Sequence, residues 1–205
     1  LSYLFIDSTY DLILGVLDDG FNWLSFERHT GAKASAIIQA RSHDLLSQNN
    51  IKLHELKGII TVNGPGFYTG LRLAEGFADV LKFFGIPQYS FYSYEIPAWC
   101  GHTEGCWFTK AYRGEYFLYR WKEEESRQEL MAAKDLEHGL GDERFFIHSE
   151  SSLDEKSTPF VVNPVMTMDL LKTRPHDIFK RVVDSKGQRE SFYFRAPEDE
   201  FKVNP

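Results

Sequence analysis

The stretch Asn63-Gly64-Pro65-Gly66-Phe67-Tyr68-Thr69-Gly70-Leu71-Arg72 decides the fold. Ahead of it runs Gly58-Ile59-Ile60-Thr61-Val62, a short β-branched segment that reads as a buried strand. Behind it, Leu71 to Phe84 reads as a helix, with Gly85 as its stop and Pro87 just beyond. The order is strand, glycine-rich turn, helix. Glycine suits such a turn because it adopts positive φ without strain and lets a second backbone or a phosphate come close.

Three readings compete for the turn. A Walker-type phosphate loop ends in Gly-Lys-Ser/Thr, and Thr69-Gly70-Leu71 stands there instead, which excludes it. A dinucleotide fingerprint tolerates the spacing of Gly64, Gly66 and Gly70. It also needs an acidic residue about 20 positions on, and that region is Gln88-Tyr89-Ser90-Phe91. The plain reading is a tight strand-to-helix turn with no ligand.

The helix that follows is too apolar for one sheet. At about 100° per residue, Arg72, Glu75, Asp79 and Lys82 crowd a narrow polar face, while apolar residues fill an arc of roughly 240°. A helix lying on one sheet needs a single stripe. The pattern leaves two readings open, a helix deep in its own core or one whose excess is covered by a second chain.

With 205 residues the chain has material for one or two compact domains. A formal charge of −7 argues against this chain alone holding an RNA backbone, which requires a basic surface. No run approaches the ~18 apolar residues of a membrane span, and no basic segment precedes an apolar signal core. Cys100 and Cys106 fit no common zinc spacing and read as two small thiols, with a disulfide disfavoured in what reads as a cytoplasmic chain.

From the N-terminus, Tyr3 to Ile6 reads as a strand ended by Asp7-Ser8-Thr9, followed by strands at Leu12 to Leu17 and Phe21 to Phe26 around an Asp18-Asp19-Gly20 turn. Asp7, Ser8 and Thr9 admit two roles, contact with a metal-bound phosphate or side-chain capping of the turn. A helix runs from Gly31 to about Asn49, with Thr30 as its N-cap. Its Ile37, Ile38 and Leu45 share one face; Ala32, Ala36, Ala40 and Ser47 share another, small enough for a second helix to approach.

Ile86 to Phe91 reads as a strand, and Pro97 as the break of any helix begun at Ser93. His102-Thr103-Glu104-Gly105 marks a boundary between an N-terminal lobe of residues 1–100 and a smaller C-terminal lobe of 101–205. Beyond it come a hairpin (Cys106 to Tyr112, Tyr116 to Trp121) around Arg113-Gly114-Glu115, a solvated charged loop at Lys122 to Arg127, and a short helix near Lys134 to His138. Strands at Phe145 to Ile147 and Phe160 to Val162, a helix at Asp177 to Val183 and a closing strand at Phe192 to Arg195 complete the reading. No internal repeat is visible. Three antiparallel strands, helix, strand, helix, strand make an α/β fold with a mixed sheet flanked by helices, and match half of the two-lobed actin/Hsp70/sugar-kinase (ASKHA) fold.

The catalytic inventory is thin. Seven histidines are scattered with no i, i+4 pair, so no metal site is expected. No Gly-x-Ser-x-Gly elbow occurs.

Together these segments resemble the bacterial TsaB family, also called YeaZ. Its Ile-Asp-Thr/Ser strand end is matched by Ile6-Asp7-Ser8-Thr9, and its Gly-Pro-Gly-Ser-Phe-Thr-Gly-Leu-Arg signature by Gly64 to Arg72. Gly85-Ile86-Pro87, Lys110 to Phe117 and Tyr193 to Glu198 match later motifs in order. The chain departs from the pattern at Phe67-Tyr68, at Lys110 and Tyr112, and at Ala34-Ser35-Ala36, where the family has His-Ser-Glu. The resemblance implies a non-catalytic, cofactor-free subunit of the machinery that makes threonylcarbamoyladenosine in tRNA, meeting tRNA only through its complex. Its implied partners are the TsaD transferase, the TsaE ATPase and, in isolation, a second copy of itself. The implied partner surface comprises Gly64, Gly66, Thr69, Gly70, Arg72, Leu73, Phe77, Val80 and Phe84 with Ala36 and Ala40. It would bury about 800 Å² per partner. The competing reading is an ATPase or phosphotransferase of the same superfamily, with Asp7 and the Gly64 to Gly70 loop handling phosphate.

Overall fold

A computed structural model describes residues 1–31, 33–112, 114–141, 143–152 and 163–194. The chain forms two compact units, one of Leu1–Tyr92 with Lys172–Phe192, the other of Ser93–Leu171 with Tyr193 and Phe194. Both units are discontinuous in sequence, where the loop at His102 to Gly105 suggests a single divide.

In the first unit, β1 (Ser2–Asp7), β2 (Leu12–Asp18) and β3 (Trp23–His29) form an antiparallel meander. Helix α1 (Ala34–Gln48) leads through a 3-10 turn at Leu53–Glu55 to β4 (Leu56–Val62), parallel to β1. Helix α2 (Tyr68–Phe83) then leads to β5 (Gln88–Phe91), parallel to β4. The sheet order is β3-β2-β1-β4-β5.

The second unit opens with a 3-10 turn at Ser93–Glu95 and α3 (Ile96–Trp99). Strands β6 (Glu104–Lys110), β7 (Glu115–Lys122) and β8 (Glu125–Ala132) form a second antiparallel meander. After α4 (Ala133–Gly139), β9 (Phe145–Ile147) pairs in parallel with β6, and β10 (Val165–Met166) in parallel with β9. The order β10-β9-β6-β7-β8 repeats the succession and polarity of the first sheet. Helix α5 (Thr167–Thr173) follows, and α6 (Pro175–Asp184) packs within the first unit.

Every residue of β1 is buried, as an unbroken apolar run requires of a strand covered on both faces. On one face Leu4 and Ile6 meet Ile38, Leu45 and Leu46 of α1 and Ala74, Ala78 and Leu81 of α2. On the other, the Phe5 ring lies edge-on to Trp23 and to Phe179 of α6, at 5.5 and 5.4 Å between centroids. In the second sheet Cys106, Phe108, Tyr116, Leu118 and Ile147 pack with Leu136 of α4.

Several elements differ from the sequence reading. Helix α1 starts at Ala34 with Lys33 as its N-cap, so Thr30 does not cap it. Strand β3 starts at Trp23 because Phe21, at φ +61°, belongs to the turn. There the Asp18 carboxylate accepts backbone N–H bonds from Gly20 and Asn22 at 2.9 and 2.8 Å. Pro97 breaks nothing: it sits in the first turn of α3, where its missing N–H removes no helical bond. Of the charged segment at Lys122 to Arg127 only Glu123 and Glu124 turn, with Glu123 at φ +54°, and β8 begins at Glu125. Phe192 to Phe194 are not a strand, although the Phe192 N–H donates to the Asn63 carbonyl at 2.8 Å. Phe160 to Val162, Arg113, Ala32 and Arg195 lie outside the described residues.

Desolvation raises the pKa of Asp18, but the hydrogen bonds from Asn22 and Gly20 outweigh it and hold the carboxyl below its ordinary value. A folded pKa below the unfolded one gives stabilisation that is complete above the ordinary carboxylate range and lost as pH falls through the folded value. Asp18→Ala is therefore expected to lower the urea midpoint at neutral pH and to leave it unchanged in strong acid. An equal loss at both would show that the carboxylate charge contributes nothing to the turn.

Candidate functional site

The glycine loop is seated on the end of β1. Asp7, Ser8 and Thr9 are all buried. Asp7 Oδ1 accepts from the Thr9 N–H at 2.8 Å and the Thr9 hydroxyl at 2.7 Å, which closes the turn on itself. The Phe67 N–H then donates to the Thr9 carbonyl at 2.9 Å, and the Ser8 hydroxyl to the Gly70 carbonyl at 2.7 Å. A Cβ on Gly66 would stand 2.8 Å from Thr9 Cα, and one on Gly70 only 1.8 Å from the Ser8 carbonyl oxygen. The close approach that a phosphate loop reserves for its ligand is occupied here by the chain's own backbone. Asp7 and Thr9 are thus turn-capping groups, and Ser8 braces the start of α2.

Asn63, the residue ahead of the loop, joins three segments. Its side-chain oxygen accepts from the Thr61 hydroxyl at 2.7 Å, its side-chain amide donates to the Arg189 carbonyl at 2.6 Å, and its backbone N–H donates to the Phe91 carbonyl at 2.9 Å. With the Ser90 N–H donating to the Gly187 carbonyl and the Tyr92 hydroxyl to the Glu190 carbonyl, the segment 187–192 runs along the outer edge of β5. A groove of about 320 Å³ lies between this strap and the polar face of α2, lined by Glu75, Asp79, Lys82 and Arg189 among others. The strap has little apolar periodicity; its one sequence signal is an Asn placed where a strand ends.

Helix α2 distributes its excess of apolar residues in two ways. Leu71, Ala74, Ala78 and Leu81 are buried, and Leu73 and Phe77 are half-buried against the same core. At the C-terminal end Val80, Phe83 and Phe84 are 51, 88 and 66% exposed. Gly85, at φ +80°, ends the helix: its N–H returns to the Lys82 carbonyl, and buried Ile86 follows. Thr69 is exposed, as is Arg72, whose guanidinium pairs with Glu75 at 2.8 Å. Ala36 and Ala40 lie exposed on α1. Phe83, the most exposed of the described aromatic residues, is absent from the surface that the sequence singles out. Neighbouring Val80 and Phe84 carry the same apolar signal.

Cys100 and Cys106 are buried free thiols, and burial pushes Cys106 up to about 12. Among the described residues no group of three His, Cys, Asp or Glu side chains is placed to hold a metal, and no helix is long and apolar enough to cross a membrane.

No protein-family model matches the sequence, and no curated protein matches it either. Solved structures do. The chain resembles an uncharacterized Pseudomonas aeruginosa protein described as similar to peptidase YeaZ, at 18% identity and a TM-score of 0.62, over 95% of this chain and 99% of that one. It also resembles YeaZ from Pseudomonas aeruginosa, at 18% identity and a TM-score of 0.53, over 71% of this chain and 74% of that one. The chain has a YeaZ-like fold. At this identity the likeness is one of architecture: an α/β fold with two mixed sheets flanked by helices.

In this YeaZ-like chain, the seating of the loop predicts opposite outcomes for two glycines of α2. Gly70→Ala forces a Cβ into the Ser8 backbone and is expected to cost about 3 kcal/mol or more. Gly76→Ala meets nothing within 4 Å and is expected to gain roughly 0.5–1 kcal/mol from helix propensity. Thermal unfolding of both variants checks this; a neutral Gly70→Ala would refute the backbone packing.

Proposed function

We propose that this chain is a non-catalytic, cytoplasmic subunit of the threonylcarbamoyladenosine-forming machinery, acting by pairing with a TsaD-like transferase. A TsaE-like ATPase joins the same complex, tRNA is met only through it, and a homodimer forms when the partner is absent. The observation that carries the reading is the exposed apolar end of α2, Val80, Phe83 and Phe84, on a YeaZ-like fold. Three such side chains left in water cost several kcal/mol together, at about 1.5–3 kcal/mol for each fully buried one, and aromatic anchors of this kind dominate interface energies. Ala36 and Ala40 on α1 add a small-residue face that lets a partner helix come close.

The anchors divide by burial. Phe77 and Leu73 belong to the core as much as to the surface, so an acidic substitution there unfolds the chain as well as unpairing it. Phe83 and Val80 are the clean probes. Co-purification with the TsaD of the same source, followed by an assay of tRNA modification, is expected to show activity that depends on this chain, with no turnover by the chain alone. Phe83→Asp and Val80→Asp are expected to lose at least about tenfold in pairing, a change of about 1.4 kcal/mol, at unchanged melting temperature. Failure of the unsubstituted chain to associate with TsaD would overturn the assignment, and full pairing by the variants would move the surface elsewhere.

A further inference from the structure

The second unit holds a groove of about 690 Å³ at the end of its sheet, lined by Arg120, Arg127 and Arg144 with Glu104, Glu125 and Glu143 among others. Strands β7 and β8 pair so that Arg120 stands directly opposite Arg127. Like charges facing one another across a strand pair are destabilising unless neutralised. The protein neutralises one of them. Arg120 is buried, donates from Nε to Glu143 at 2.8 Å and from Nη2 to the Gly139 carbonyl at 2.6 Å, and pairs with Glu129.

Of the groove's two other carboxylates, one lies at ion-pair distance from a cation and the other belongs to a residue in register with one. Glu104 lies 3.5 Å from Lys122, and Glu125 faces Lys122 across the hairpin. Arg127 and Arg144 remain. Both are exposed, and neither has a carboxylate at ion-pair distance among the described residues. The Arg144 guanidinium lies 5.8 Å from the Phe146 ring centre. The floor is tight: a Cβ on Gly105 would stand 2.6 Å from Phe146, 2.9 Å from the Arg144 carbonyl and 2.9 Å from the Trp121 ring.

We propose that this groove binds a small phosphorylated molecule, whose phosphate is held by Arg127 and Arg144. Two guanidinium forks with no carboxylate at ion-pair distance among the described residues match the charge and the oxygen geometry of a phosphate dianion. The cavity falls within the roughly 300–1,000 Å³ of small-ligand sites. The site is built from β6 to β9 and owes nothing to the exposed end of α2, so it stands or falls separately from the partner reading.

Calorimetric titration of the full chain with pyrophosphate, inorganic phosphate and citrate tests it. The expected result is saturable binding of pyrophosphate, tighter than that of citrate. Arg127→Gln and Arg144→Gln are each expected to weaken it about tenfold, at unchanged melting temperature, whereas Lys82→Gln in the first unit leaves it unchanged. No saturable pyrophosphate binding overturns the site, as does unaltered binding by both arginine variants. Citrate binding as tightly as pyrophosphate overturns the phosphate assignment in favour of a carboxylate ligand.

Discussion

The backbone contact between the end of β1 and the start of α2 holds the first unit in register. Ser8 and Thr9 meet Gly66, Phe67 and Gly70 through two hydrogen bonds and through carbonyl oxygens that leave no space for a Cβ. That contact fixes where α2 begins and how it is rotated about its axis. Once the rotation is set, Leu71, Ala74, Ala78 and Leu81 face the sheet, and the last turn must carry Val80, Phe83 and Phe84 outward. The exposed apolar end of the helix is a geometric consequence of the loop's seat.

The two sheets share a strand succession without sharing a recognisable sequence. The physical demand is the same in each, that a central strand be covered on both faces, and many side-chain sets meet it. The first sheet meets it with an aromatic cluster of Phe5, Trp23 and Phe179 on one side and aliphatic packing on the other. The second places a buried arginine at the end of its α4-facing side, satisfied by Glu143, Glu129 and the Gly139 carbonyl. A buried guanidinium persists only where its donors are matched, and Glu143, one of the residues that match it, also lines the groove beside it.

The elements that a linear reading misses are those whose stability is not local. Strand β8 opens Glu125-Ser126-Arg127-Gln128-Glu129, with no apolar alternation, and is a strand because β7 offers it a complete ladder of backbone partners. Pro97 stops a helix in its interior but not in its first turn, and its position relative to the preceding 3-10 turn is not written in composition. Phe192 reads as strand from its aromatic neighbours, yet it lies in no strand, and its N–H donates to the Asn63 carbonyl. Strand β1, the loop, α2 with its Gly85 stop, and β9 were legible because periodicity and turn chemistry are short-range properties.

Sequence by itself determined that a strand, a glycine turn and an over-apolar helix follow one another, since each depends on residues within a turn or two of the next. It also established the poverty of metal-ligand and nucleophile motifs, which needs no geometry. Tertiary structure alone decided that Gly66 and Gly70 face the Ser8-Thr9 backbone. It decided likewise that Leu73 and Phe77 lean into the core while Val80, Phe83 and Phe84 do not, and that Arg127 stands opposite Arg120. Each of these turns on which distant segment arrives alongside, and burial and pairing are properties of neighbours in space, not neighbours in the chain.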